Sequence, residues 1–391
     1  MATAPASQPL PVPTARRRDR RGVIAAVISL LVLLGFATLV QTQANGYQQQ
    51  IVVLVFIYSM VAVALAVTSG FTGVFSLGQI GFLAIGAYVS AVIDIPPMWK
   101  DEITLADLPP WLAKLDMTVY PPQISLFIAC MAAGLVAALV GLLVGAPLMR
   151  LSGHYVAVAT MGFLIIVYTL VVNADGYTAG SRGLSQIPGW TNAWVAAAWC
   201  AFTIYAAWRL RNSAQGRAMI ASRENLLAAR GVGVNVLRTR LLAFVWGAFI
   251  TGVAGALLGH QVGTIAPSQF YFQTTFVVIT MVVLGGMGSI SGAVVGAVIM
   301  TILPEYLRDV DTGLTIGSYT TPALYGLSQI ILAVGFILVM IFRPTGLLGD
   351  RELGIGLLSK RSPNDDAFGD SELLTPPSAP GLDSVPMDSR E

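Results

Sequence analysis

Long apolar stretches alternate with short polar connections along almost the whole chain. Apolar runs of roughly 20 residues, the length that a helix needs to cross a bilayer, occupy residues 22–40, 51–69, 74–93, 123–149, 154–173, 192–209, 241–259, 270–286, 290–306 and 322–342. Inside a bilayer every backbone polar group must be paired within the protein, so such runs form helices. The pattern predicts an all-α fold, a polytopic transmembrane helical bundle with about ten spans.

Composition supports this fold class. Hydrophobic residues make up 55% of the 391 residues and charged residues only 11%, which leaves too little polar surface for a water-soluble globule. The two cysteines, Cys130 and Cys200, lie inside apolar runs and are expected to behave as small hydrophobic residues. We therefore predict a protein of the cell (inner or plasma) membrane, without a disulfide and without a metal site.

The charged residues are concentrated in a few connections, and their sign predicts the topology. Residues 209–240, called the island below, hold seven arginines and one acid, Glu224. Residues 94–122 hold five acids and two lysines. Lys and Arg accumulate in cytoplasmic loops, so we expect the island inside the cell, residues 94–122 outside, and both termini inside.

The two ends of the chain are expected to lie outside the bundle. Residues 1–21 and 344–391 are rich in Pro, Ser and charged residues, a composition typical of disordered segments. Residues 16–40 resemble a signal peptide, but the apolar run is long and no A-x-A cleavage pattern follows, which favours a retained anchor. We predict a disordered cytoplasmic N-terminus (1–21), a transmembrane domain (22–343) containing a cytoplasmic loop (211–240), and a disordered cytoplasmic tail (344–391).

Two glycine-rich segments, residues 69–73 and 284–292, interrupt the helical pattern. Non-helical backbone in a membrane is tolerated where protein or water pairs its polar groups, so such breaks tend to line a pathway. We expect the two breaks to approach each other near mid-membrane. Glycines at four-residue spacing also serve close helix packing, and that alternative stays open. The residues expected to line a pathway are Ser76, Gln79, Gly81, Gly285, Gly286, Gly288, Ser289 and Ser291, with Ser152 and Thr160 as further polar candidates.

The chain lacks the sequence motifs of an ATPase and of several enzyme classes. Its three lysines, Lys100, Lys114 and Lys360, stand outside any phosphate-binding G-x-x-x-x-G-K-[ST] pattern. The span interiors hold essentially no ionisable residue for proton or sodium coupling, since His154 and His260 fall at predicted span ends. G-x-S-x-G and H-E-x-x-H are also absent. We therefore predict a conduit without catalytic residues rather than an enzyme or an ion-coupled carrier.

The island is too long for a turn, and its pattern predicts one amphipathic helix over residues 213–231. Met219, Ser222, Leu226 and Ala229 share one side at helical spacing, while charged residues fall on the other faces. A short helix of this kind suits a groove on a partner protein. A helix lying on anionic lipid is the alternative.

Several segments together resemble a known family. Residues 222–235, SRENLLAARGVGVN, look like the coupling loop of the branched-chain amino-acid ABC importer permeases, LivM-type subunit, whose pattern is close to R-E-N-E-x-A-A-x-x-x-G-I. Further family segments recur in order: SLGQIGFLAIGAY (76–88), LSGHYVAVATMGF (151–163), TAGSRGLSQIPG (178–189), VVLGGMGSISGAVVGA (282–297) and RPTGLLG (343–349). The chain departs from the family at Gln79, where His is common, at Leu226, where an acid is usual, and at Arg182, where Asp or Asn is frequent.

The resemblance implies that residues 22–343 form a permease domain and 211–240 its ATPase-coupling loop. It implies a second, homologous permease in a heterodimer, two cytoplasmic ATPase subunits that bind ATP and magnesium, and an extracytoplasmic solute-binding protein. This chain itself would hold no cofactor, and its surroundings would be lipid, with no nucleic-acid partner. The implied coupling residues are Arg217, Ser222, Arg223, Glu224, Asn225, Ala228, Ala229, Arg230 and Gly231.

The resemblance leaves the solute open. Branched-chain amino acids are the first expectation, and importers of urea and short amides use the same type of permease. Two alternatives come from other classes of protein, an ion-coupled secondary transporter and a membrane scaffold that moves no solute. Transport that survives loss of the ATPase would favour the carrier, and absence of any flux would favour the scaffold.

Overall fold

The structure is a computed structural model that describes residues 45–102, 108–151, 153–312, 315–316, 319–320, 326–343 and 345–349, with isolated positions 35, 38, 41 and 42. The predicted N-terminus (1–21), the predicted anchor (22–40) apart from those isolated positions, and the tail beyond residue 349 lie outside these residues. Ser152, a candidate for the pathway, also lies outside them.

The described residues form fourteen α-helices and one short hairpin. The helices are α1 Gly46–Leu65, α2 Gln79–Asp94, α3 Pro97–Glu102, α4 Pro110–Ala113, α5 Pro122–Leu148, α6 Tyr155–Asn173, α7 Asp175–Thr178, α8 Ala193–Arg211, α9 Ala214–Glu224, α10 Leu226–Gly231, α11 Val236–Val262, α12 Phe272–Gly285, α13 Ile290–Thr312 and α14 Leu327–Phe342. A π-helical segment, Ala66–Gly70, continues α1. The hairpin pairs β1 Thr315–Ile316 with β2 Tyr319–Thr320 in antiparallel register.

Every predicted apolar run from 51–69 onward coincides with one of these helices, which confirms the all-α class. Within the described part of the chain, five helical segments are long and apolar enough to cross a membrane: Gly46–Gly70, Pro122–Leu148, Tyr155–Asn173, Val236–Val262 and Ile290–Arg308. The apolar helices α2, α12 and α14 are shorter. The number of about ten spans therefore stays a prediction.

Asparagine side chains cap the starts of the two helices that flank the island. The Asn192 carboxamide oxygen accepts a hydrogen bond from the Val195 amide at the start of α8 (3.0 Å), and Asn235 accepts one from the Arg238 amide at the start of α11 (3.1 Å). Each cap satisfies an amide that has no partner within its helix. The island is thus bounded by capped helices on both sides.

The centre of the bundle is α11, which packs against α1, α2 and α5. Gly86 of α2 lies directly against the carbonyl of Gly252 in α11, where a side chain would not fit. On α5, Ala137 is buried toward Gly252, whereas Leu139 and Leu143 are exposed. Small residues inside and large apolar residues outside are the arrangement expected of helices packed within lipid.

Candidate functional site

The island contains two short helices rather than the single helix predicted over residues 213–231. Its first helix, α9, ends at Glu224, and Asn225 adopts an extended conformation (φ −149°, ψ 107°) before α10 begins. The Asn225 carboxamide oxygen accepts hydrogen bonds from the amides of Leu227 (3.1 Å) and Ala228 (3.0 Å). The prediction is wrong because asparagine favours capping a new helix over continuing an existing one.

One side of the island packs on the bundle and the other side is exposed. Met219, Ser222 and Ala229, three of the four residues predicted to share a face, are buried, and Leu226 is half-buried. Sequence reasoning missed two apolar residues on the outer side, Leu227 (77% exposed) and Val232 (80% exposed). Among the predicted coupling residues, Ser222 and Ala229 face inward, whereas the exposed ones are Arg217, Arg223, Glu224, Asn225, Ala228, Arg230 and Gly231.

Arg223 connects the island to the first glycine-rich break. Its Nη1 donates a hydrogen bond to the carbonyl oxygen of Gly70 (2.9 Å), 153 residues earlier in the chain. Its Nε lies 3.4 Å from Oε1 of Glu224. Gly73, with φ +70°, lies directly behind this side chain, and an added Cβ there would come within 3.1 Å of Arg223 Cγ.

The first break runs from the π-helical turn at Ala66–Gly70 to the start of α2 at Gln79. Side-chain hydroxyls pair the backbone amides that the missing helical turns leave free. Ser69 Oγ accepts from the Ser76 amide (3.2 Å), and Thr160 Oγ1 on α6 accepts from the Leu77 amide (3.0 Å). The bundle therefore satisfies this irregular backbone from its own side chains, as a membrane interior requires.

The two breaks meet, as predicted, but at the island end of the bundle. Gly70 lies against the backbone carbonyl of Met287, with no room for a side chain. Since Gly70 terminates the helical segment of α1 and also bonds Arg223, the meeting point is beside the island. The first break follows a helical segment of membrane-spanning length, and the expected position near mid-membrane stays a prediction.

Residues following α14 close the second break. The Leu347 amide donates to the Leu284 carbonyl (2.8 Å), and the Leu348 amide donates to the Gly285 carbonyl (3.1 Å). These carbonyls are at the end of α12, where no helical partner exists. Leu347 and Leu348 are therefore bonded to the bundle, and the disorder of the tail from residue 344 stays a prediction.

Most of the predicted pathway glycines fit tightly against neighbouring groups. An added Cβ at Gly81 would come within 3.0 Å of the Phe163 ring, and Gly285 lies against the carbonyl of Gly292. Gly286 adjoins the backbone of Gly349, and Gly288 is buried. These contacts support the packing alternative, and a role in lining a pathway remains a prediction for all four residues.

The predicted polar pathway residues separate into two groups. Ser289 Oγ accepts from the Gly292 amide at the start of α13 (3.0 Å) and lies 3.0 Å from Ser291 Oγ. Gln79 Nε2 donates to Thr251 Oγ1 on α11 (2.7 Å). Gln79 Oε1 and Ser76 Oγ, by contrast, are buried without a hydrogen-bond partner among the described residues. These two atoms retain hydrogen-bonding capacity inside the bundle.

The opposite end of the bundle holds a buried contact between an aspartate and a histidine that sequence reasoning missed. Asp94 Oδ2 at the end of α2 lies 3.0 Å from His260 Nε2 near the end of α11, and both side chains are fully buried. His260 Nδ1 lies 2.8 Å from the Pro188 carbonyl oxygen, and the imidazole stacks on Trp190. Both residues lie at helix ends, in agreement with the predicted position of His260, but their burial and their pairing were not predicted.

Lys100, in α3, is also buried at that end. Its Nζ donates to the carbonyl oxygens of Leu112 (2.9 Å) and Leu115 (3.1 Å), which folds the connection after α2 back on itself. Burial lowers the pKa of Lys100 below its usual value of 10.5, and the nearby charges of Asp94 and Asp116 oppose this shift. No simple periodicity marks Lys100 or the Asp94 and His260 pair, because distant segments bring them together.

Membrane-length apolar helices arranged around a central helix make this chain a multi-pass membrane protein. Residues 47–340 match the protein family described as Branched-chain amino acid transport system / permease component. The chain belongs to this family, and the resemblance found in its sequence motifs is confirmed.

Individual relatives agree with the family. The chain is 30% identical over 353 residues to the high-affinity branched-chain amino acid transport system permease protein LivM of Salmonella typhimurium, covering 82% of this chain and 74% of the relative. It is 30% identical over 332 residues to LivM of Escherichia coli, covering 76% and 69%. It is also 37% identical over 144 residues to the permease LivH of Escherichia coli, and this match covers 37% of the chain and 42% of LivH.

Proposed function

We propose that this chain is the membrane permease subunit of an ATP-binding-cassette importer for branched-chain amino acids. The observation that carries the proposal is the two-helix island, which is packed on the bundle through Met219, Ser222 and Ala229 and exposes a charged and apolar outer side. An exposed element fixed to the bundle in this way can receive a partner and pass its movement to the helices. The relatives named as branched-chain amino acid permeases supply the solute class.

The partners in this proposal are two cytoplasmic ATPase subunits, a second homologous permease and an extracytoplasmic solute-binding protein. The ATPases bind ATP and magnesium, and this chain binds neither. Leu227 and Val232 are the apolar contacts that an ATPase groove would cover, and the exposed Arg230 on the same short helix adds a charge at their rim. An apolar centre with a charged rim is the usual anatomy of a protein interface.

The proposed topology places the island and both termini in the cytoplasm, because of the arginine excess in the island. The pair of Asp94 and His260 then lies at the outer end, together with residues 94–122. Closure of the ATPases would push on α9 and α10 and switch the bundle between outward-facing and inward-facing states. Buried Gln79 and Ser76 are the polar groups offered to the solute along the route.

A second candidate is an ion-coupled transporter, and the buried pair of Asp94 and His260 favours it. Ionisable side chains within a membrane protein are costly to bury and frequently serve proton or ion relays. Here both side chains are fully enclosed, which suits a fixed structural pair better than a relay open to water. The candidates differ in their energy source, and that difference can be measured.

The test is uptake of labelled leucine by liposomes that contain the chain with its second permease and ATPases, supplied with the binding protein. We expect uptake with magnesium-ATP and none with a proton or sodium gradient alone. Uptake driven by a gradient without ATP would contradict the importer and support the carrier. Competition by excess valine, but not by excess urea, would identify the solute class, and the reverse would identify an amide importer.

A further inference from the structure

Two arginines of α9 have the same chemistry and different connections. Arg217 Nη1 donates to the carbonyl oxygen of Asn212 (2.9 Å), five residues away within the island. Arg223 Nη1 donates to the carbonyl oxygen of Gly70 (2.9 Å) in the bundle. Both side chains belong to exposed residues, but Arg223 donates into the bundle whereas Arg217 donates within the island.

The carbonyl that accepts the hydrogen bond from Arg223 is at the end of a helix. Gly70 is the last residue of the π-helical turn, after which the chain leaves the helix. Carbonyls at a helix end lack a helical partner and carry the negative end of the helix dipole, so a guanidinium is a favourable donor there. A hydrogen bond from a charged donor is also stronger than a neutral one.

Gly70 is in turn fixed to the second break. It lies against the Met287 carbonyl without space for even a methyl group. The second break is itself held by Leu347 and Leu348, whose amides bond the carbonyls at the end of α12. A displacement of Gly70 therefore displaces Met287 and the junction of α12 with α13, because close-packed backbone has no free volume to absorb it.

We propose that Arg223 is a positioning residue that transmits movement of the island to the junction of the two breaks, and that it does not bind the ATPase. This inference rests on the proposed function, since the movement comes from a docked ATPase. Glu224 supports the role by holding Arg223 Nε at 3.4 Å. Docking is assigned to the outer residues Leu227 and Val232, which point away from the bundle contacts of α9.

The first experiment compares Arg223→Gln with the matched control Arg217→Gln in the reconstituted complex. We expect Arg223→Gln to retain ATPase co-purification and basal ATP hydrolysis while leucine uptake per ATP falls about tenfold or more, since it loses a charge-assisted hydrogen bond. Arg223→Lys, which keeps the charge and a donor, should recover part of the coupling. Arg217→Gln should keep the uptake per ATP of the unaltered complex, because its hydrogen bond stays within the island. Equal uptake per ATP in the two glutamine variants, or loss of ATPase co-purification in Arg223→Gln alone, would overturn the proposal.

A second measurement does not depend on transport. Amide hydrogen exchange of the purified chain reports local opening, and the amides of Phe71 and Gly73 are hydrogen-bonded in the first break. We expect Arg223→Gln to speed exchange in residues 66–73 and Arg217→Gln to leave it unchanged. Unchanged exchange in Arg223→Gln would overturn the proposed connection even if transport is lost. Absence of ATP-driven uptake in the unaltered complex, with the expected exchange pattern, would instead count against the proposed function.

Discussion

The two ends of this bundle use charged residues in opposite ways. At the island end, most arginines are exposed, and one of them, Arg223, donates a hydrogen bond to a carbonyl of the bundle. At the other end, Asp94, Lys100 and His260 are all buried. Asp94 and His260 face each other at 3.0 Å, and Lys100 donates to two carbonyl oxygens of this chain. Exposed charges remain available to a partner, whereas buried pairs fix one geometry and are costly to break. We call the island end, whose movement is part of the proposed function, the moving end. We call the end that holds Asp94, Lys100 and His260 the fixed end.

The largest expected effect comes from breaking the fixed end. Asp94→Ala leaves His260 buried without its partner and should destabilise the protein by about 3–5 kcal/mol. The matched control is Glu305→Ala, which breaks an exposed pair with Arg308 at nearly the same distance, 3.1 Å, and should cost about 1 kcal/mol or less. Thermal unfolding of the purified variants measures both. Equal losses in the two variants would show that burial does not distinguish the pairs.

A smaller effect is expected where the two breaks meet. Gly70→Ala places a methyl group against the Met287 carbonyl and should destabilise by about 1–3 kcal/mol through overpacking. The control is Gly162→Ala in α6, where nothing lies within 4 Å of the added Cβ and alanine should be neutral or slightly stabilising. The readout is the amount of folded protein in the membrane together with its unfolding temperature. A Gly70→Ala protein as stable as the control would remove the claim of a close backbone contact.

These sites also show what sequence alone could predict. The positions of the apolar helices follow from the sequence because apolar length is a local property, whereas the number of helices that span the membrane stays a prediction. The division of the island into two helices at Asn225 was missed. Its signal is local, since asparagine is a strong helix cap. The pairing of Asp94 with His260 and of Arg223 with Gly70 could not be predicted, because both join residues far apart in the chain and only the folded helices bring them together.

The next smaller effect is expected at the proposed ATPase-docking surface, which contains Leu227 and Val232. Leu227→Asp places a charge in the apolar centre of the proposed ATPase contact and should weaken co-purification of the ATPase by about 1–2 kcal/mol, roughly tenfold. Leu143→Asn, on the exposed side of α5, changes an apolar residue away from the island and should leave association unchanged. Quantitative pull-down from solubilised membranes measures the difference. Normal association of Leu227→Asp would place the ATPase contact elsewhere on the island.

The smallest expected effect is a pH dependence at the fixed end. Burial lowers the pKa of Lys100 in the folded chain. At a pH between this lowered pKa and the usual 10.5, the unfolded chain therefore binds more protons than the folded chain. Stability contributed by this group should therefore rise as the pH increases through that window. The unfolding temperature of the unaltered protein should rise relative to Lys100→Gln as the pH is raised toward 10.5. Parallel curves for the two proteins would contradict this assignment.

The central claim is that the moving end and the fixed end lie on opposite sides of the membrane, with the island inside. Single cysteines test it directly through Ala228→Cys in the island and Lys114→Cys at the other end, since both positions are exposed and the native Cys130 and Cys200 are buried. An impermeant thiol reagent added to intact cells should label Lys114→Cys at once and Ala228→Cys only after permeabilisation. Labelling of Ala228→Cys from outside, with Lys114→Cys protected, would invert the topology and contradict the account.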